Sequence, residues 1–284
     1  MFPRPDRIIV PQYEPTPGLS LVAAAELLGE SRRAVAAQLV DFAVRGILTV
    51  SREKHRFTLV LADTANLAPR ESDAGQDERD ILHALFGSAK PGTRVVLRRG
   101  GNREIGVALR EQHRRVVARL IVGGLVRERS WLERAVVFWR KQPTEPTAAA
   151  HPAIDHLWGV HDYVELAEKD RFAMLQSPAG ALTTPLGDLE VLRLHERLLP
   201  YAVLFGVEKQ WMRELDVRYR SVPQDVLDDV GGVVEVAAHG VSLAIDIADL
   251  VTAVDLGNAT EGLGAFLGGL GDALGSLDLP SIDL

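Results

Sequence analysis

Two capped helices followed by a hairpin, close to the amino end, constrain the fold of this chain more than any other feature. Serine and glycine bracket two helix-periodic apolar segments, with Ser20 and Gly29 around the first and Ser31 and Gly46 around the second. Serine side chains cap helix starts, and glycine favours helix ends. Strand-like runs then fill 47–61 around a polar turn. This is the order of a winged-helix unit. The residues of its second helix that we expect to be buried are Val35, Leu39 and Phe42.

The same order recurs more loosely in the next part of the chain. A helical pattern over 77–86 precedes a strand-like run over 93–98. A long helical pattern over 102–122 then ends at two glycines, and 125–130 is expected to start another wing. We therefore predict a mainly α protein with small β-hairpins, in which tandem winged-helix-like units are followed by a C-terminal helical segment.

Composition divides the chain into four predicted parts. They are a Pro-rich lead-in with the first winged-helix-like unit (1–66), a second such unit (67–140), a linker with a helical segment (141–230), and an acidic Gly- and Leu-rich tail (231–284). The linker is expected over 141–153, with one helix over 161–175 and another from about Leu186 that is interrupted at Pro200. The tail is expected to be flexible, and a helix that forms on a partner is the alternative.

Charge is distributed unevenly along the chain. Residues 1–150 contain 24 Lys and Arg against 17 Asp and Glu, whereas residues 151–284 contain 8 against 22. Such a split favours either a basic binding face in the first half or attraction between the halves. Cysteine is absent, which excludes disulfides, thiolate nucleophiles and cysteine-based zinc sites. No apolar stretch has the length of a membrane span, so we expect a cytoplasmic protein without direct membrane insertion.

Motifs of catalysis are not found in this sequence. No Gly-x-Ser-x-Gly elbow, dinucleotide loop or His-Glu-x-x-His pattern is present, so we expect no catalytic, cofactor-binding or metal-binding residues. His151, His156 and His161 lie near Asp155 and Asp162, but a spacing of five does not stack histidines on one helical face. A polar linker is the favoured interpretation, and an enzyme with an unrecognised site is the least favoured function.

Basic residues are the main candidates for contacts with nucleic acid or a partner. The candidate residues of the two units are Arg32, Arg33, Lys54, Arg56, Arg110, Arg114 and Arg115. Gln38 and Arg45 are expected beside them on the outer side of the second helix. In a DNA-binding winged helix, this helix would enter the major groove and the wing would reach phosphates. The nearby carboxylates of Glu30, Asp41 and Glu53 oppose phosphate, which favours protein contacts over DNA.

A second motif surrounds the proline of the C-terminal helical segment. Its residues are Pro200, Tyr201, Phe205, Gly206 and Trp211. A proline in a helical pattern kinks the helix, and the large aromatic residues can pack around such a break. We therefore interpret this motif as structural rather than chemical, with Tyr201 and Trp211 buried.

Three segments of the sequence resemble a bacterial family of predicted membrane proteins, domain of unknown function 2207. The first is Ile8-Ile9-Val10-Pro11-Gln12-Tyr13-Glu14-Pro15 with Gly18-Leu19-Ser20. The second is Asp162-Tyr163 with Ala167-Glu168-Lys169-Asp170-Arg171. The third is Leu198-Leu199-Pro200-Tyr201-Ala202 with Phe205-Gly206-Val207-Glu208-Lys209 and Trp211. The three occur in the order of the family's cytosolic part, and the resemblance covers roughly residues 7–220.

The resemblance implies architecture and location more than activity. Family members carry a hydrophobic hairpin before the second segment, whereas 137–160 of this sequence contains none. We therefore expect a non-enzymatic scaffold or regulatory module that binds a protein partner. That partner is expected to be a membrane-anchored protein, which would hold the chain at the cytoplasmic face of the membrane. A winged-helix regulator that binds nucleic acid is the alternative.

Overall fold

The computed structural model describes residues 1–16, 18–53, 56–88, 90–98, 103–130, 143–166 and 188–208, with Gln210, Trp211, Arg213 and Leu215. Within these residues the protein is mainly helical with small antiparallel sheets, as predicted, and the sheets have three strands and two strands. The helices are α1 (Leu21–Leu28), α2 (Ala34–Val44), α3 (Asp73–Phe86), α4 (Arg103–Val122), α5 (His151–Glu165) and α6 (Asp188–Phe205). The strands are β1 (Leu48–Glu53), β2 (Arg56–Leu61), β3 (Arg94–Arg98), β4 (Val126–Glu128) and β5 (Thr144–Pro146).

The first two helices follow the capping pattern of the sequence with one correction. The Ser20 hydroxyl accepts a hydrogen bond from the amide of Ala23 at 3.1 Å, and α1 ends at Gly29 with φ of 74°. Ser31 does not cap α2, because a short 3-10 turn over Ser31–Arg33 lies between it and the helix start at Ala34. Its hydroxyl donates to Glu26 Oε2 at 2.6 Å.

The inward face of α2 agrees with the periodicity of the sequence. Leu39 and Phe42 are fully buried, and Val35 is partly buried against the core. Arg32, on the 3-10 turn before α2, is exposed. The expected hairpin follows α2, because β1 pairs with β2 from Leu48 opposite Leu61 to Glu53 opposite Arg56.

The third strand joins the two predicted winged-helix-like units. β3 pairs antiparallel with β2, so the order of the three-stranded sheet is β1-β2-β3. α3 and α4 also pack on each other, and α4 contacts α1. The sheet and the hydrophobic core thus extend across residue 66, where the sequence suggested a boundary.

The region expected to be a linker contains ordered structure. β5 pairs with β4 from Val126 opposite Pro146 to Glu128 opposite Thr144, which gives the strand at 126–128 its partner. The helix expected over 161–175 begins earlier, at His151, because Pro152 lies in its first turn, where proline is favoured. Residues 167–175 lie outside the described part of the chain.

The last described helix runs through its proline and ends at a glycine. Pro200 lies inside α6, which continues unbroken to Phe205, so the expected interruption at Pro200 is wrong. The amide of Val207 donates to the carbonyl of Ala202 at 3.0 Å, and that of Gly206 donates to the carbonyl of Val203 at 3.2 Å. With φ of 79° at Gly206, this is the hydrogen-bond pattern that closes helices at a left-handed glycine.

The lead-in of the chain lies across α5 in an extended conformation. The amide of Gln12 donates to the carbonyl of Gly159 at 2.9 Å, and His156 Nε2 lies 2.8 Å from the carbonyl oxygen of Glu14. Two arginines reinforce the contact. Both terminal nitrogens of the Arg4 guanidinium donate to Asp162 at 2.6 Å, and Arg7 Nε donates to Asp155 at 2.6 Å. The lead-in is therefore part of the folded body.

We expect Gly159→Ala to displace the lead-in from α5. A Cβ at this position would overlap the carbonyl oxygen of Val10 and lie 2.7 Å from Gln12 Cγ, so the backbone must shift. Overpacking of this kind costs about 1–3 kcal/mol. Denaturant unfolding and limited proteolysis of the lead-in measure the effect. Arg7→Gln is the matched control, since loss of an exposed ion pair costs about 1 kcal/mol or less. Equal losses of stability in Gly159→Ala and Arg7→Gln would contradict the expectation.

One hydrophobic core connects all six helices with the three-stranded sheet. The largest fully buried side chains come from α2, α5 and the segment after α6, with Phe42, Tyr163 and Trp211 among them. None of the described helices is long and apolar enough to cross a bilayer.

Candidate functional site

A groove lies between α1, with the 3-10 turn that follows it, and the side of α4. Its volume is about 810 Å³. Arg32 and Arg114, which the sequence indicated in two separate units, line this groove together. Phe2, Val117 and Ile121 contribute apolar surface beside them. The groove therefore presents two guanidinium groups next to hydrophobic side chains, a combination that is common in binding sites for peptides and small molecules.

Both arginines of the groove are accessible to solvent. Arg32 is exposed on the 3-10 turn, and the side chain of Arg114 is 77% exposed on α4. Arg114 lies 3.7 Å from Glu111 on its own helix, and Arg115 lies 3.8 Å from the same carboxylate. Exposed ion pairs of this kind contribute about 1 kcal/mol or less, so the pair with Glu111 does not prevent Arg114 from binding another carboxylate.

A buried carboxylate at the base of the groove ties its walls together. Glu26 on α1 is 3% exposed. Its oxygens accept hydrogen bonds from Ser31 at 2.6 Å and from Thr144 of β5, and His113 Nε2 of α4 lies 3.2 Å away. Burial alone would raise the pKa of Glu26, but the hydrogen bonds from His113, Ser31 and Thr144 outweigh burial and hold that pKa below its usual value. An ionised Glu26 thus fixes α1, α4 and β5 around the groove.

The carboxylates of the groove wall are only partly neutralised. Glu30 pairs with the amino terminus of Met1 and lies 3.6 Å from the Nε of Arg33, so much of its charge is offset. Glu128 of β4 also lines the groove and is exposed. An anionic ligand would find Arg32 and Arg114 together but would also face Glu128, which disfavours an extended phosphate backbone more than a single carboxylate.

The remaining basic candidates do not gather at this groove. Arg33 turns toward α6, where it donates to the carbonyl of Val203 at 3.1 Å and lies 3.5 Å from Glu208. Arg33 thus lies away from the groove, and its role in contacts with a ligand stays a prediction. Arg110 is half-buried and Arg115 is exposed on α4, outside the lining of the groove. Lys54 and the side chain of Arg56 lie outside the described part of the chain.

A second cavity lies between α2, α3 and α6, where the sequence predicted none. Its volume is about 440 Å³. Gln38 and Arg45, expected on the outer face of α2, line this cavity, and Gln38 is only 1% exposed. The expectation failed because α6 packs along α2 and covers that face. The spacing of Asp41 and Arg45, four apart on one helix, was the one local signal of an ion pair here.

Arg45 neutralises part of the acidic side of this second cavity. Its guanidinium pairs with Asp41, lies 2.7 Å from Glu78 Oε1, and donates to the carbonyl of Asn66 at 2.8 Å. Burial raises the pKa of Asp41 to about 6, Arg45 opposes that rise, and the nearby Glu78 adds to it. Two carboxylates thus share one guanidinium in a largely desolvated position.

Two groups of α6 complete the cavity. Burial raises the pKa of Glu196 to about 7, with partial compensation by Arg193. Burial also raises the pKa of Tyr201 above its usual value, and the charge of Asp41 raises it further. Protonation of Glu196 and Asp41 therefore changes close to neutral pH, which the sequence could not indicate because the cause is tertiary burial.

The aromatic motif after Pro200 forms packing contacts. Tyr201 and Trp211 are 4% and 1% exposed, so the expected burial of both is confirmed. Trp211 stacks on His195 with ring centroids 4.9 Å apart, and its indole donates to the carbonyl of His195 at 2.9 Å. The ring centroids of Phe205 and of His161 on α5 lie 5.0 Å apart.

The histidine cluster of 151–162 is helical rather than a linker. Asp155, His156 and Asp162 are engaged by the lead-in, as described above. His161 lies between the rings of Trp158, at 4.8 Å, and Phe205. Within the described ranges, no group of three or more histidine and carboxylate side chains could hold a metal ion.

Comparisons with known proteins add no relative to this description. A scan against family models, a search of curated proteins and a search of solved structures each found no significant match.

Proposed function

We propose that this chain is a non-enzymatic scaffold or regulatory module that binds a protein partner through the groove between α1 and α4. One observation carries the proposal: Arg32 and Arg114, from separate helical elements, line the same groove beside Phe2, Val117 and Ile121. The partner segment that fits this chemistry is a short peptide that carries at least one carboxylate and apolar side chains.

We further propose that the helices and strands form two winged-helix-like units. α1, α2 and the β1–β2 hairpin make up the first unit, and α3, β3, α4 and the β4–β5 ribbon make up the second. The order of elements supports this assignment. In this arrangement the groove lies between one helix of each unit, so partner binding would depend on their relative position.

We also propose that the chain is related to the cytosolic part of the domain of unknown function 2207 family. The resemblance of the three segments supports the proposal. The partner would then be membrane-anchored, and it would hold the chain at the cytoplasmic face of a membrane.

Nucleic-acid binding is the second candidate function. The exposed side chains of Arg114 and Arg115 on α4 favour it. Two carboxylates oppose phosphate contacts: Glu111, which lies within 4 Å of both arginines, and Glu128 on β4. We therefore expect at most weak binding to duplex DNA that fades steeply with salt.

A peptide selection tests the proposed function directly. The full chain is used to select binders from a random peptide library, and the affinity of the selected peptides is measured for Arg32→Glu/Arg114→Glu. Reversal of both side-chain charges in this variant should weaken the binding of acidic, partly apolar peptides about tenfold or more, since two favourable charge contacts become repulsive. Arg70→Glu is the matched control, because Arg70 is exposed away from the groove.

Two results would reject the proposal. The first is a set of selected peptides that bind the double variant as tightly as the original chain. The second is a shift of one duplex DNA at nanomolar protein and physiological salt, unaffected by competitor DNA, which would establish the alternative function.

A further inference from the structure

The cavity between α2, α3 and α6 is lined by two buried polar side chains, Glu196 and Gln38. Glu196 is 5% exposed, the described residues give its carboxylate no hydrogen bond, and Arg193 offsets part of its charge. Gln38 is 1% exposed and also lines the cavity, and the described residues provide no partner for its Oε1. Buried carboxylates are nearly always hydrogen-bonded, so Glu196, which lines the cavity and receives no hydrogen bond from the described residues, indicates a ligand that donates to it.

Charge varies from the inner wall to the mouth of this cavity. On the inner wall, Asp41 and Glu78 share the single guanidinium of Arg45, and Glu196 adds a further carboxylate. This wall is therefore net negative when its acids are ionised. Arg193 and Arg197 also line the cavity but are exposed to solvent, which makes its mouth positive.

We propose that this cavity binds a small zwitterion, whose ammonium group contacts Glu196 and whose carboxylate faces Arg193 and Arg197. A primary ammonium group carries three donors and no acceptor, which suits a wall of acceptors. A carboxylate suits guanidinium groups for the converse reason.

The size and shape of the cavity agree with this class of ligand. A volume of about 440 Å³ lies within the range of sites for small molecules. Leu19, Leu21 and Val44 supply apolar lining, against which the methylene chain of an amino acid can pack. Asp41, Glu78 and Glu196 do not form a metal-ligand group in the part of the chain that the structure describes.

Binding should tighten as pH rises from 6 to 8. The groups that face the site are Glu196, Arg193, Arg197 and Tyr201 on α6, Asp41 and Arg45 on α2, and Glu78 on α3. Since burial raises the pKa of Glu196 to about 7, its ionised fraction, and with it the affinity for an ammonium group, increases about tenfold over this interval.

Isothermal titration of the full chain tests the proposal with defined probes. The zwitterions are ω-amino carboxylates from β-alanine to 6-aminohexanoate, and the controls are hexylamine, hexanoate and Mg²⁺. We expect at least one zwitterion to bind at millimolar concentration or below and at least about tenfold more tightly than either single-charge analogue. Absence of binding by every zwitterion, equal affinity of hexylamine, or tighter binding of Mg²⁺ would overturn the assignment.

A pair of variants separates this site from the groove between α1 and α4. Glu196→Gln keeps the size of the side chain but removes its charge, and should weaken zwitterion binding about tenfold or more and abolish most of its pH dependence. Arg32→Glu/Arg114→Glu should leave zwitterion affinity unchanged, because neither residue lines this cavity. Unchanged affinity in Glu196→Gln would overturn the inference while leaving the proposed partner groove untouched.

Discussion

Trp211→Ala is expected to destabilise the protein by about 3–5 kcal/mol, as truncation of a large buried aromatic side chain usually does. Trp211 is 1% exposed, stacks on the ring of His195, and donates its indole N–H to the carbonyl of His195 at 2.9 Å. Alanine removes the stacking and the hydrogen bond and leaves a cavity where Trp211 packs. The loss is large against the roughly 5–15 kcal/mol that stabilises a typical domain. Denaturant unfolding of the full chain measures it.

Two matched variants make the Trp211 prediction specific. Trp211→Phe keeps an aromatic ring but loses the indole N–H, so it should cost less than Trp211→Ala. Arg213→Ala changes an exposed residue of the same segment after α6 and should stay within about 0.5 kcal/mol of the original chain. An unchanged melting temperature in Trp211→Ala, together with lost peptide binding, would show that Trp211 belongs to a recognition surface instead.

Local signals in the sequence were sufficient for the first two helices and their hairpin. Ser20 caps α1 and Gly29 ends it because both act on the adjacent backbone. Ser31 does not cap α2, because a 3-10 turn follows it and α2 begins only at Ala34. The Ser31 hydroxyl donates to the buried carboxylate of Glu26. Glu26 comes from α1, but its burial depends on α4 and β5, which are remote in sequence.

The course of α6 shows how tertiary packing can overcome a helix-breaking residue. Proline removes one hydrogen bond from a helix and clashes with the preceding turn. Pro200 is nevertheless accommodated, because α6 is held along α2 and against α5. The helix ends instead at Gly206, where a Cβ would lie 3.0 Å from the guanidinium carbon of Arg33. The approach of Arg33, far away in the sequence, had no local signature.

The two candidate sites differ in how far the sequence could predict them. Arg32 and Arg114 were recognisable as exposed basic residues on helices, but only the packing of α4 against α1 brings them to one groove. The second cavity was missed altogether. Gln38 and Glu196 are polar residues that helical periodicity assigns to an exposed face, and each is buried because α2 and α6 cover one another.

Glu196→Gln is expected to stabilise the protein above neutral pH, although it removes the group proposed to bind a ligand. Burial raises the pKa of Glu196 from its usual 4.5 to about 7. Between these values the folded chain binds a proton that the unfolded chain has released, so stability falls as pH rises. The fall amounts to about 3 kcal/mol for this carboxyl group, and glutamine does not titrate.

Stability curves at pH 5 and pH 8 test this expectation. At pH 5 Glu196 is protonated in the folded chain, and the two proteins should differ by less than about 1 kcal/mol. At pH 8 Glu196→Gln should be more stable than the original chain by about 2–3 kcal/mol. Asp41, whose pKa is raised to about 6, titrates in both proteins, so its contribution cancels in the difference between their stabilities. A buried carboxylate that costs stability at neutral pH is characteristic of a functional site. Equal stabilities at pH 8 would mean that water or a reoriented side chain already satisfies Glu196, and the basis for a ligand in that cavity would be lost.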